Sequence, residues 1–308
     1  MASATTVDVL LVGATGMLGG SILEGLLETN QTVRALLRPG KEAVERSLSE
    51  RGVEVAHGDV LDRASVDAAV TGARVVVIAL NNNPDLFVPG HRNLLEAAES
   101  HDVERIVPSD FSVDFFKIRP DENDNLAMRH EVAPLFEGTR VRPIHVLIGA
   151  FMDTMLDPNA PFIDWERGNL PFFGDGEQLC DFTTVADAGR FVAAACADRD
   201  APEAVRFAGD VLTMPGLAAS VAAGRGITLE GRRQGSVDDL AGVIESKKHS
   251  GGDPWEWIAL QYHHNMVSGR AKLEPLNNER YPDVQPETIE DFARHTKDET
   301  VRGMGFSN

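Results

Sequence analysis

The sequence predicts an α/β protein, a doubly wound parallel sheet with helices on both faces followed by a smaller C-terminal α+β lobe. Three observations predict it. Short apolar runs alternate with amphipathic helical patterns through the first half of the 308-residue chain. The fourth run, residues 74–80, is almost wholly apolar, as expected of a strand buried on both faces. The first run leads directly into Gly13-Ala14-Thr15-Gly16-Met17-Leu18-Gly19 and then into a helical pattern. A strand, a glycine-rich turn and a helix in that order make a phosphate cradle, because the turn brings backbone close and the helix N-terminus presents N–H groups and a positive dipole end.

The elements follow in order. Residues 7–12 form the first strand, and Leu18, Ile22, Leu23, Leu26 and Leu27 share one face of the helix behind it. Residues 32–37 read as the second strand, 41–51 as a helix and 53–56 as the third strand. A short helix over 63–70 precedes the fourth strand. Residues 90–100 read as a helix, 105–107 as the fifth strand and 144–148 as the sixth. The second half is more broken. Pro158, Pro161 and Pro171 interrupt it, and Gly174-Asp175-Gly176 signals a turn. Residues 184–197 read as a helix returning to the sheet, and 213–223 as a capped helix with Met214, Leu217 and Val221 inward. Gly251, Gly252 and Pro254 make 246–257 a predicted loop. The expected organisation is a dinucleotide-binding domain over 1–152 and 183–210, with a substrate-binding lobe over 153–182 and 211–308.

Composition narrows the function. A formal net charge of −19 repels nucleic acid and anionic membranes, so the expected ligand is a small molecule. The charge leaves a protein partner or a homodimer open. Two cysteines without metal or redox spacing suit a reducing cytoplasm. The first residues lack a signal core and no apolar run reaches spanning length, so a cytoplasmic location is expected. The adjacent His263 and His264 have no ligand spacing around them, so no metal site is expected.

The cofactor is read from the strand ends. An acidic residue after the second strand would hold a free ribose hydroxyl, whereas a basic one accommodates an extra phosphate. Arg38 stands there, with Lys41 three residues on and Arg34 inside the strand, so NADP, with NADPH preferred over NADH, is expected. Asp59 and Val60 are placed to border the adenine, although Asp59 equally suits a turn aspartate. Leu80 and Asn81, beyond the fourth strand, and Ser109 and Asp110, beyond the fifth, fall where open parallel sheets meet their ligands.

These segments resemble the NmrA-like and isoflavone-reductase-like group of atypical short-chain dehydrogenases. The resemblance rests on the opening glycine pattern, Val33 to Arg38, Val107-Pro108-Ser109-Asp110-Phe111, Phe173-Gly174-Asp175-Gly176 with Val185-Ala186-Asp187-Ala188-Gly189, and Tyr281-Pro282-Asp283-Val284. It implies a Rossmann-type domain with a smaller lobe, a substrate held between them, and hydride transfer from NADPH to a small, largely apolar aromatic, enone, ketone or quinone. It also admits a regulatory protein that binds NADP(H) as a redox sensor. Tyr262 and Tyr281 lack a lysine four positions later, so the tyrosine–lysine mechanism of the wider superfamily is absent. The family's catalytic lysine maps to Arg129, beside His130, with Lys117 in the preceding loop. Arginine is effectively always protonated, so it suits an oxyanion better than proton shuttling. By the same resemblance Phe151 lies beside the nicotinamide, and Gly149 replaces an asparagine. Phe111, Met152 and His263 are candidates to line the substrate site; the two apolar side chains equally suit a core.

Overall fold

The structure, a computed structural model, describes residues 6–296. The chain divides into two compact units. One comprises Met1–Phe111, Met128–Val146 and Ala188–Val205; the other comprises Ser112–Ala127, Leu147–Asp187 and Arg206–Asn308.

The first unit alternates strand and helix. In chain order it contains β1 (Val7–Val12), α1 (Met17–Glu28), β2 (Val33–Leu37), α2 (Glu42–Glu50), β3 (Glu54–His57), α3 (Arg63–Val70), β4 (Ala73–Ile78), α4 (Pro84–Ser100), β5 (Arg105–Val107), α5 (Ala127–Val132) and β6 (Arg142–Pro143). All six strands pair in parallel in the order β3-β2-β1-β4-β5-β6. The order reverses at β1, which is where a doubly wound sheet opens a crevice at its strand C-termini. The apolar runs explain the strands: Val75, Val76, Val77 and Ile78 are all 0% exposed. Burying side chains of this size contributes about 1.5–3 kcal/mol each. One face of the sheet packs Leu10, Val76 and Ile106 against Val66, Phe87 and Leu94 from α3 and α4.

Two strand-end features depart from the sequence reading. The expected sixth strand over 144–148 does not join the sheet, which takes residues 142–143 instead. Only β6 joins the sheet, and the next strand, β7 (His145–Leu147), is turned away after Ile144, with the His145 N–H donating to Glu203 O at 2.7 Å. The helix expected over 90–100 begins earlier, at Pro84, because Asn83 caps it by accepting from Asp85 N. Pro89 lies inside it at an exposed position, where the forfeited hydrogen bond leaves a solvated carbonyl.

The second unit contains β8 (Ala150–Phe151), α6 (Met152–Leu156), β9 (Asn169–Phe173), β10 (Cys180–Thr183) and the first turn of α7 (Val185–Ala197). After β11 (Ala204–Arg206) come β12 (Asp210–Leu212), α8 (Met214–Arg225), β13 (Glu230–Gly235), α9 (Val237–Ser250), α10 (Trp255–Val267) and α11 (Ile289–His295). Its strands form a β12-β10-β8 sheet and a β13-β9 ribbon. Thr213 caps α8 as expected, and Met214, Leu217 and Val221 are buried. The predicted loop over 246–257 is mostly helix. Ser236 and Asp239 form a capping box that starts α9, and Gly251 ends it in the left-handed region at φ 71°, so only four residues separate it from α10.

The unit boundaries also differ from the expected ones. Residues 112–127 group with the second unit because Asp114 N donates to Ala271 O and Lys117 Nζ to Lys272 O. The second unit is therefore no smaller than the first. Buried Arg105 has a structural task in the first unit. Its guanidinium donates to the carbonyls of Cys196 and Asp198 at the end of α7, satisfying groups a helix C-terminus leaves without partners.

Candidate dinucleotide site and the polar cluster at the strand ends

The three glycines between β1 and α1 have different tasks. Gly13 has φ +88°, and a Cβ on it would stand 2.2 Å from Ala79 O, so only glycine lets this turn lie against the chain leaving β4. A Cβ on Gly19 would stand 2.0 Å from Gly13 O, so its absence lets α1 seat on the turn. Gly16 is exposed, and a Cβ there would meet only Gly13 O, at an ordinary 3.5 Å. Gly16 is also the N-cap of the twelve-residue α1, with no side chain capping it and no acidic residue in the first turn. The helix N-terminus is thus shaped and polarised for an anion, and a pyrophosphate fits it. Thr15 and Met17 flank this point and are exposed, whereas Leu18 and Gly19 are buried and present backbone alone.

Arg38 is exposed immediately after β2, and Lys41, half-buried, stands at the N-terminal boundary of α2. Both stand at the C-terminal edge of the sheet. Arg34 does not share this place. It is 4% exposed, pairs with Glu54 at 2.7 Å and donates to Ala69 O and Thr71 O. Beyond β3, Asp59 accepts from Leu61 N at 2.9 Å, which commits one carboxylate oxygen to a turn. Val60 and Leu80 approach one another over Gly90, whose missing Cβ would meet both at 3.1–3.2 Å. Asn81 is exposed beside them.

The ends of β4 and β5 carry a buried polar cluster. Ser109 Oγ donates to Leu80 O at 2.9 Å, and the Ser109 N–H donates to His91 Nε2 at 3.1 Å. His91 therefore carries its proton on Nδ1, which donates to Phe87 O at 2.6 Å. Burial pushes its pKa down to about 4, so the ring is neutral. Asp110 is 1% exposed, and its Oδ2 meets His145 Nδ1 at 2.6 Å. Its carbonyl accepts from Arg129 Nε at 2.8 Å. Arg129 Nη1 donates to Asn82 Oδ1 at 3.1 Å, and the guanidinium lies 5.2 Å over the Phe87 ring. Arg129 is 5% exposed.

The other expected site residues are placed as follows. His130, next to Arg129 on α5, is half-buried, and burial lowers its pKa. Lys117 belongs to the second unit, with Asp114 3.8 Å away. Phe111, in the first unit, is buried at φ +20°. Phe151, Met152 and His263, in the second, are also buried. His263 Nε2 accepts from Phe173 N at 3.4 Å, and burial pushes its pKa down to about 4. Gly149 has φ +71°, and a Cβ there would stand 2.2 Å from Asp181 O, so this backbone has no room for the asparagine the resemblance leads one to expect. Sequence reasoning missed His91, His145 and Asn82. A signal existed for His145, a lone histidine inside the apolar run Ile144 to Ile148. Among the described residues, no group of three or more His, Cys, Asp or Glu side chains could hold a metal ion. No described helix is long and apolar enough to cross a membrane.

The six-stranded sheet and its glycine cradle define a Rossmann-type dinucleotide-binding protein. The model of the NmrA-like family matches residues 5–242, and the chain belongs to that family. The chain is similar to phenylcoumaran benzylic ether reductase TP7 of Nicotiana tabacum, 25% identical over an aligned length of 311, covering 93% of this chain and 97% of that one. The binary complex of leucoanthocyanidin reductase with NADPH from Vitis vinifera shares the fold, with a TM-score of 0.77 at 19% identity over 92% of this chain and 97% of that one. An NADPH-dependent quinone oxidoreductase from Escherichia coli shares it too, with a TM-score of 0.71 at 19% identity over 93% and 98%.

Proposed function

We propose that the protein is an NADPH-dependent reductase that passes hydride to a small, largely apolar acceptor, with quinones and enones the best fit. The observation that carries the reading is the cradle at Gly16, a helix N-terminus with no side-chain cap at which the sequence places a glycine. Arg38 and Lys41 supply the cations for the phosphate that distinguishes NADP from NAD. Bound NADPH supplies a hydride, and the protein supplies its orientation and the field around it. Family membership and the reductases similar to this chain support the same reading.

The acceptor class follows from the proton. Arg129 cannot shuttle one, and two of its donor nitrogens are committed to Asp110 O and Asn82 Oδ1. Lys117 donates to Lys272 O. A quinone or enone suits such a site, because its reduced form takes a proton from water without a positioned acid. Ser109 orders the turn beside the expected nicotinamide, and Arg129 holds the ends of the β4 and β5 loops together.

The test is NADPH oxidation by purified protein against a panel of naphthoquinones, enones and aryl ketones, with NADH run in parallel. Turnover confined to acceptors that need no enzyme acid, and lost with NADH, is the expected result. Those same committed donors favour one alternative, a redox sensor that binds NADP(H) without turnover. Tight NADPH binding with no oxidation across the whole panel would establish that alternative.

A further inference from the structure

The turn after β5 is fixed far more heavily than its length requires. It comprises Ser109, Asp110 and Phe111. His91 from α4 holds the Ser109 N–H, and Leu80 O holds its hydroxyl. Arg129 from α5 holds the Asp110 carbonyl, and His145 from β7 holds its carboxylate. Asp110 N also donates to Pro108 O at 2.9 Å. Directly after these restraints comes Phe111 at φ +20°, a conformation L side chains rarely adopt. Strained backbone of this kind persists only where its surroundings over-determine it, and such places concentrate at functional sites.

We propose that Asp110 and His145 are a positioning pair for the cofactor's reacting end, acting through this turn. The inference rests on the dinucleotide-binding reading above and assigns residues that the family resemblance does not. Burying a carboxylate and an imidazole is a poor way to stabilise a fold, since two apolar side chains of similar volume commonly do as well or better. What the pair gives is direction. The carboxylate is anchored to His145 Nδ1 while the backbone of the same residue is anchored to Arg129, so Asp110 cannot rotate without breaking both bonds. Ser109 and Phe111 on either side are then fixed at the C-terminal edge of the sheet, where the ligand of a doubly wound fold binds. The groups around the pair are Arg129 from α5, neutral His91 from α4 and the Phe136 ring, 6.0 Å from His145 and edge-on to it.

Three variants test this. His145→Asn keeps an N–H near the position of Nδ1. His145→Leu removes it and leaves the carboxylate unpaired. The double variant Asp110→Leu/His145→Leu removes the pair and guards against misfolding, because it leaves neither the carboxylate nor the imidazole buried without the other. Each is measured for thermal melting, NADPH affinity, enhancement of nicotinamide fluorescence on binding, and kcat and KM with a naphthoquinone. In the double variant, melting is expected to stay near wild type and NADPH Kd within about threefold, because the cradle at Gly16 is untouched. The fluorescence enhancement is expected to be lost and kcat to fall about 100-fold, since a misplaced reacting group costs on that order. His145→Asn is expected to restore both. A folded double variant with wild-type enhancement and kcat would overturn the proposal. So would a loss of kcat that merely follows loss of NADPH affinity or of folding, or a double variant that does not fold. If wild type turns over no acceptor, the reductase reading fails, and the fluorescence and affinity comparison still decides the positioning pair.

Discussion

At the residue scale, two arginines four positions apart in one strand region have opposite fates. Arg34 points into the protein, where its guanidinium joins Glu54 to the carbonyls of Ala69 and Thr71. Arg38 lies just past the strand end and is exposed. The alternation of side chains along an extended strand does not separate them, since both fall on the same parity. What separates them is that the strand ends between them. Arg34→Met should lower stability by about 2–3 kcal/mol, because it strands the buried Ala69 carbonyl and the partly buried Thr71 carbonyl, and should leave the NADPH-to-NADH affinity ratio unchanged. Arg38→Ala should do the reverse, leaving the urea midpoint near wild type while cutting NADPH affinity at least about tenfold more than NADH affinity. Equal losses for the two cofactors in Arg38→Ala would mean that Arg38 does not contact the distinguishing phosphate.

At the element scale, the β1–α1 turn makes one motif do two separable jobs. Gly19→Ala places a methyl 2.0 Å from a backbone oxygen that cannot retreat without moving the turn, so the variant should be severely destabilised or insoluble. Gly16→Ala meets no such obstacle and should fold, at a cost of about 1 kcal/mol for the poorer cap. Its expected defect is in binding, with NADPH affinity down more than about tenfold by titration. Normal affinity in a folded Gly16→Ala protein would mean the cofactor does not approach this point. The motif was legible because spacing alone fixes it, and so were β1, β2, β4 and β5, which are largely buried strands. The departures share a cause. Gly251 was visible as a breaker, yet whether a glycine interrupts a helix or caps it depends on where the helix starts, and the Ser236–Asp239 capping box lies fifteen residues upstream. The fate of the expected sixth strand was hidden because the residues turned away, His145 to Leu147, are as apolar around the histidine as a continuing strand. The Asp110–His145 pair was hidden for a related reason: its partners are 35 positions apart, and no local pattern joins them.

At the scale of the whole molecule, two electrostatic terms oppose each other on acidification, and salt separates them. With a net charge of −19 the folded chain repels itself, so adding NaCl should raise the melting temperature at neutral pH. His91 and His263 act the other way as pH falls. Each has its pKa pushed down to about 4 by burial, against 6.5 when free. The unfolded chain therefore binds a proton at each of these sites below pH 6.5 that the folded chain refuses until about pH 4. The stability they contribute is complete above 6.5 and is lost as pH falls from there, by about 2 kcal/mol per histidine between pH 7.5 and 5. Asp153 and Asp181, whose carboxyls burial raises, lean in the opposite direction, since acid relieves their desolvation. In low salt, the positive charge the chain gains on acidification also relieves self-repulsion and masks part of the loss. In about 1 M NaCl that relief is already screened, so unfolding free energy should fall more steeply from pH 7.5 to 5 than it does at low salt. His263→Gln, which keeps an acceptor for Phe173 N, should flatten the high-salt slope by roughly half. Equal slopes at the two salt concentrations, with imidazole resonances of His91 and His263 titrating near 6.5, would show that these rings are solvated.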